Sequence, residues 1–249
     1  MSQLKTEVEA NFQKFSLSYQ QSAQATSLAL QAHQDTYYAE SYQRIVTLQA
    51  WRAELLERTI SKDSLLFFLE AQNDALTSHV HARSGAWRSA LQSLRSCIEN
   101  TLFSLYYKDH PAELRLWLEG KHRLAYSEMA DYFEKHPSLL KIKREMAGRD
   151  LLDEQYSTLS RAVHASAASF RMSVEGVGPQ LWSAEVARLG KWSSNEGAVL
   201  VGINRLLMAL FREELQKTRL PNLRKAISLI FPLKHHGKIK SALGVSLYS

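Results

Sequence analysis

The chain reads as an all-α protein: a multi-helix bundle with a long N-terminal helical segment and a basic helical C-terminal part. Three observations predict this. Glycine and proline are scarce, 10 and 5 among 249 residues, so few breakers interrupt the chain. Apolar residues recur three and four apart over most of its length. No run of alternating β-branched residues suggests a sheet. With 45% hydrophobic residues, a chain of this length can bury a substantial core.

Three segments follow from composition: 1–60, a long helix or helical hairpin; 61–175, a central bundle; and 180–249, the basic part. Residues 1–60 hold no glycine or proline, and Leu4, Val8, Phe12, Phe15 and Tyr19 recur at helical spacing, as do Tyr38, Tyr42, Ile45, Leu48 and Leu55. The stripe is thin, so it needs a covering surface, either its own domain or a coiled-coil-like oligomer contact. Ser61 suits a helix cap ahead of a helix over about Leu65–Val80. After a break near Ser84-Gly85, Trp87, Leu91, Leu94, Ile98, Leu102 and Leu105 give one wide apolar face over Trp87–Tyr107. Asp109-His110-Pro111 ends it, because a residue before proline avoids the helical region. Shorter helices follow over Ala112–Leu118 and Tyr126–Phe133, and Ser138 is placed to cap another. A longer helix spans Asp150–Phe170. Glu175-Gly176-Val177-Gly178-Pro179 is the clearest break. Gly197–Lys217 is a strongly apolar helix, with shorter pieces at Asn222–Ile230 and Lys238–Leu243.

Several function classes are excluded. The apolar stretch Ala198–Phe211, interrupted by Asn204 and Arg205, is too short to span a bilayer, so no membrane is expected. The single Cys97 has no internal disulfide partner, and the N-terminus lacks a signal-peptide pattern, which together point to the cytoplasm. Gly176-Val177-Gly178-Pro179 and Gly190-Lys191-Trp192-Ser193 lack the glycines and strands of nucleotide-binding loops. No Gly-x-Ser-x-Gly elbow occurs. His79 and His81, two apart, point to different sides of a helix, and no metal or other cofactor is expected. Arg205, inside an apolar helix, calls for an intramolecular carboxylate.

Two features carry chemistry. The first is the cluster Ser157, Ser160, Arg161 and His164, spaced to share one helix face. An imidazole, a guanidinium and hydroxyls together suit phosphate binding or acid–base work near neutral pH; hydrogen bonding to a neighbouring helix is the plainer use of the same face. The second is the basic end. From Arg188 to Ser249 there are eleven Lys/Arg and three acidic residues, a net of +8 in a chain of net +6. Arg219, Arg224, Lys225, Lys234, Lys238 and Lys240 lie in a stretch without an acid, interleaved with Leu223, Ile227, Leu229, Ile230 and Phe231. Such a surface suits a polyanion, with nucleic acid the first choice, an acidic surface on a partner protein the second and an anionic membrane the third; a merely solvated basic face is the plainer use.

The run Arg88…Arg95-Ser96-Cys97-Ile98-Glu99-Asn100…Tyr106-Tyr107-Lys108-Asp109-His110-Pro111, followed by Tyr156…Leu159-Ser160-Arg161-Ala162-Val163-His164, resembles the HEPN superfamily over about residues 86–170. That resemblance implies a helical bundle, often dimeric, of the kind found in prokaryotic defence and toxin systems, many of them metal-independent ribonucleases, and so sets RNA ahead of DNA as the nucleic acid. It implies His164 as acid/base and Arg161 as phosphate clamp, supported by Ser160, Ser157, Glu99 and Arg95. Only Ala162 and Val163 separate the Arg/His pair, where the family's usual spacer is longer. The resemblance therefore also admits a non-catalytic adaptor that binds a partner protein and DNA or RNA, as a homodimer or a subunit of a larger complex. Taken by themselves, Arg95 and Glu99 are an ordinary i, i+4 ion pair.

Overall fold

The computed structural model describes residues 3–164, 166, 170–173 and 180–247, and among these every regular element is a helix, without strands. The helices are α1 (Gln3–Gln31), α2 (Ala39–Trp51), α3 (Glu57–Thr59), α4 (Lys62–Arg83), α5 (Trp87–Asp109), α6 (Pro111–Leu118), α7 (Tyr126–Lys135), α8 (Arg149–Val163), α9 (Val186–Leu210), α10 (Arg212–Lys217), α11 (Pro221–Ile230) and α12 (Leu233–Leu243). Two π-helical turns, Gln34–Tyr38 and Arg52–Leu56, flank α2.

α5 is the hub. It packs against α4 along most of its length and also touches α6, α7, α8 and α9. Its stripe Trp87, Leu91, Leu94, Ile98, Leu102 and Leu105 is buried, as the sequence predicts, with Cys97 beside it. Burial pushes the Cys97 thiol far up, so it stays protonated. One apolar core runs from Leu30 to Val245 and draws on every large helix. No helix of the described residues is long and apolar enough to cross a membrane.

Several boundaries match and several do not. Ser61 caps α4 by accepting from the Ser64 backbone N–H at 3.2 Å. Gly85 breaks α4 from α5 at φ +72°. The Asp150–Phe170 helix ends at Val163, because His164 leaves the helical region at ψ 1°. Ser138 starts no helix; turns fill 137–148 before α8. The apolar helix begins at Val186 rather than Gly197 and is split from α10 at Phe211. The Glu175–Pro179 break lies outside the described residues. Among the described residues Arg205 finds no carboxylate: its Nη1 donates to the Glu145 carbonyl at 3.0 Å, and its guanidinium lies 5.9 Å from the Phe231 ring.

Close approach fixes how α8 meets α9. Gly148 precedes α8 at φ +73°, and a Cβ there would lie 2.3 Å from the Gly202 carbonyl oxygen. Only glycine tolerates both conditions.

A polar seam joins α2 to α9. The Arg44 Nε donates to Glu196 Oε2 at 2.5 Å, and Ser41 Oγ donates to Glu196 Oε1 at 3.1 Å. Seven residues on, Trp51 Nε1 donates to Asn204 Oδ1 at 2.8 Å, and Asn204 Nδ2 donates to Thr47 Oγ1 at 2.8 Å. Glu196 is fully buried. Burial pushes its carboxyl up to about 7, against the lowering pull of Arg44 and Ser41.

Two outcomes test this seam. The raised carboxyl favours the protonated fold, so its contribution to stability is full below about pH 4.5 and is lost as pH rises through about 7. Chemical denaturation of the wild type should therefore show a fall in stability over that window that Glu196→Gln lacks. Arg44→Ala should cost about 3–5 kcal/mol above pH ~7, where it strands a buried carboxylate, and less in acid.

Candidate functional site

Three of the six predicted central residues, Arg95, Glu99 and Ser160, come together along the contact of α5 with α8, joined there by Tyr156. Arg95 and Glu99 sit one turn apart on α5; Tyr156 and Ser160 sit one turn apart on α8. The Arg95 Nε donates to Ser160 Oγ at 3.2 Å, and its Nη2 donates to Tyr156 Oη at 2.7 Å. The same Nη2 lies 2.9 Å from Glu99 Oε1, to which Tyr156 Oη donates at 3.0 Å. The Arg95 guanidinium also stands 4.9 Å from the Tyr156 ring centroid, and Tyr126 stacks on that ring at 3.5 Å. Burial and the neighbouring Glu99 raise the Tyr156 phenol, which keeps it a neutral donor. This network of one cation, one anion and two hydroxyls is half-buried and internally satisfied. Arg95 and Glu99 do more than a solvent-facing ion pair would, since both also bind α8.

Arg161, His164 and Ser157 stand differently. All three are exposed. His164 is the C-cap of α8, its backbone N–H donating to the Ser160 carbonyl at 3.1 Å. Arg161 reaches only Thr158 Oγ1, at 3.4 Å, and makes no ion pair among the described residues. The polar face predicted from spacing therefore divides: Ser160 turns inward to Arg95, while the other three turn to solvent.

At the end of α8, Arg88 joins a group of cations that spacing did not pick out as a set. Arg88 Nη2 donates to the Val163 carbonyl at 2.6 Å, where the free carbonyls of a helix end attract a cation. Arg88, Arg188 and Lys191 line a small cleft with Trp87, Leu91, Phe170 and Trp192, of about 20 Å³, which is room for one water. Arg188 pairs with Glu185 at 2.7 Å; Arg88 and Lys191 have no carboxylate partner among the described residues. The signal in the sequence was Arg188 and Lys191 three apart, but joining them to Arg88 required the fold.

The basic end folds onto α2, with α11 packed against it. Leu223, Ile227, Ile239 and Leu243 are buried there, so the charges ride on a folded surface. Arg219, Lys225, Lys234, Lys238 and Lys240 are exposed and make no ion pair among the described residues. Arg224 has another task. Its Nε donates to the Arg219 carbonyl at 2.9 Å, and its Nη atoms donate to the carbonyls of Leu215, Thr218 and Ser246. These bonds clamp the turn around Leu220, a non-glycine residue at φ 37°. His236 Nε2 lies 2.8 Å from the Phe231 carbonyl oxygen. Burial, with Arg205, Lys234 and Lys238 nearby, lowers His235 below the usual imidazole range, which disfavours a further positive charge.

Among the described residues, no group of three or more His, Cys, Asp and Glu is placed to hold a metal ion. His79 instead sets its Nδ1 2.9 Å from Ser41 Oγ, at the edge of the α2–α9 seam. No protein-family model, curated protein or solved structure matches this chain.

The basic residues should therefore separate in thermal denaturation. Arg224→Ala is expected to lose about 2 kcal/mol, the scale of charged hydrogen bonds left unmade. Lys225→Ala or Lys238→Ala should leave the melting temperature unchanged, as solvated charges do.

Proposed function

We propose that the protein is a nucleic-acid-directed component of a prokaryotic defence or toxin system, with RNA its polyanion. One observation carries this reading: five exposed cations, Arg219, Lys225, Lys234, Lys238 and Lys240, share the C-terminal part without a carboxylate partner among the described residues. An unpaired cation gains little inside its own fold, whereas at a phosphate it releases condensed counterions. The resemblance to HEPN proteins adds the setting and the chemistry.

In that chemistry His164 takes the proton from a ribose 2′-hydroxyl. The 2′-oxygen bonds to phosphorus, the bond to the 5′-oxygen breaks, and the imidazolium returns its proton to that leaving oxygen. Arg161 steadies the charge on the phosphoryl oxygens. The exposure of both side chains at the end of α8, where Arg88 holds the Val163 carbonyl next to His164, supports this assignment. The Arg95–Glu99–Tyr156–Ser160 network holds α8 in place; Ser160 and Tyr156 act as positioning residues.

A second reading has its own observation. Leu4, Val8, Phe12, Phe15 and Tyr19 of α1 are exposed, which suits a non-catalytic adaptor that docks a protein while its basic end holds nucleic acid.

Fluorescence anisotropy with single-stranded RNA across a salt series tests the binding. Reversing Lys225, Lys234, Lys238 and Lys240 to Glu should weaken binding steeply and flatten the log–log salt dependence by about 0.7 per lost phosphate contact. An unchanged slope would refute the binding surface. His164→Ala and Arg161→Ala should each abolish RNA cleavage without loss of helicity; cleavage that survives both eliminates the enzyme and leaves the adaptor.

A further inference from the structure

α1 is one helix in two surroundings. Val8, Phe12, Phe15, Tyr19, Thr26 and Leu30 follow at spacings of three, four and seven, on a single stripe. Thr26 and Leu30 are buried against the bundle. Val8, Phe12, Phe15 and Tyr19 are 58%, 61%, 56% and 43% exposed, and Leu4 beyond them is 67% exposed. The stripe thus continues past the edge of its own bundle. Beside it lies the segment 180–182, whose Trp182 ring meets Tyr19 edge-on at 4.5 Å. Between them opens a groove of about 600 Å³, floored by Phe15 and Tyr19 and walled by Leu181 and Trp182.

We infer that the free half of α1 pairs antiparallel with the same half of a second copy of this chain, each groove taking the Val8 region of the other. The register follows from the spacing. Setting Val8 against Tyr19 of the second copy sets Phe12 against its Phe15, and the two-fold axis repeats both pairs. Four successive layers are then apolar, at the alternating four–three spacing that knobs-into-holes packing uses. The overlap runs from Lys5 to Ser22, the stretch that the bundle leaves uncovered.

Charge selects the antiparallel arrangement and a like partner. In it Lys5 falls opposite Ser22, whereas a parallel pair would set Lys5 against Lys5 in the seam. The flanking pairs are Glu9 with Ser16 and Asn11 with Ser18, so no like charges meet. A parallel pair would also crowd both bundles at one end. The area suffices. An aromatic side chain presents about 150–250 Å². At the exposures above, Val8, Phe12, Phe15 and Tyr19 each add about 100 Å², and Leu181 on the groove wall, 54% exposed, adds about as much, so two copies bury about 1,000 Å², the least a specific interface needs. The contact is isologous and closes at two copies. It stands apart from the nucleic-acid reading, and from Arg161 and His164 at the end of α8.

Light scattering on the eluting full-length chain tests it. The wild type should have twice the 28.4 kDa mass of one chain. Phe12→Glu and Phe15→Lys should each halve the mass at unchanged helical circular dichroism, since both positions are exposed. Mixing the two variants should restore the dimer, because the altered positions face each other across the seam. Separately, Val8→Cys mixed with Tyr19→Cys should cross-link on oxidation, with the native Cys97 buried and silent. A monomeric wild type, a dimer indifferent to Phe12→Glu, or failure of the mixture to associate would overturn the inference. RNA affinity of the halved variants reports on the basic end alone, so the two ideas fail separately.

Discussion

The buried carboxylate of Glu196 constrains the packing around it. Once it is inside, Arg44 and Ser41 must meet it, and that fixes α2 against α9 in rotation and in height. Asn204 repeats the constraint one helical stretch further, holding Trp51 and Thr47. Two polar ties about seven residues apart leave the parallel pair no freedom to slide. Apolar packing alone tolerates slippage; unsatisfied polar atoms in a core do not. With α2 and α9 locked, α11 has a surface on α2 to lie on, and α5 and α8 pack against α9 in turn.

The π turns at either end of α2 belong to the same logic. Widening one turn of a helix shifts the phase of all that follows. Residues 34–59 therefore run almost continuously helical while Tyr38, Ile45, Trp51 and Leu56 all face inward. A strict 3.6-residue period carried through this stretch would lose register with the core. Local distortions of this kind often sit beside functional surfaces, and the first borders a cleft lined by Tyr38, Tyr42, His79 and Arg83.

Much of this was legible in residue spacing. The six-residue stripe of α5, the Ser61 cap and the break at Gly85 are local devices, and local rules find them. Interleaved apolar residues also identified the basic end as folded. What spacing misses is what depends on distant partners. The true start of α9 at Val186 carries no cap or breaker signal, and burial of Leu189 and Trp192, with the Trp192 Nε1 donating to Ser78 Oγ of α4 at 3.0 Å, secures it. The end of α8 is set at His164 with no proline or glycine to announce it. Arg205 needed a partner, but nothing in the sequence distinguishes a carboxylate from a carbonyl and a ring. At the candidate site, the i, i+4 spacing of Arg95 and Glu99 was visible, while their bonds to Tyr156 and Ser160 cross more than fifty residues.

The clamp made by Arg224 separates formal charge from available field. Counted along the chain, the last quarter carries +8. Yet Arg224 is screened by four carbonyl dipoles, Arg188 by Glu185, and Arg205 by a carbonyl and an aromatic face. An approaching polyanion senses the remainder, and senses it as a pattern imposed by α11 and α12 rather than as a sum. Two sequences of equal net charge would present different potentials if one spent its arginines on its own turns. Isoelectric point and electrostatic reach are, for this fold, separate quantities.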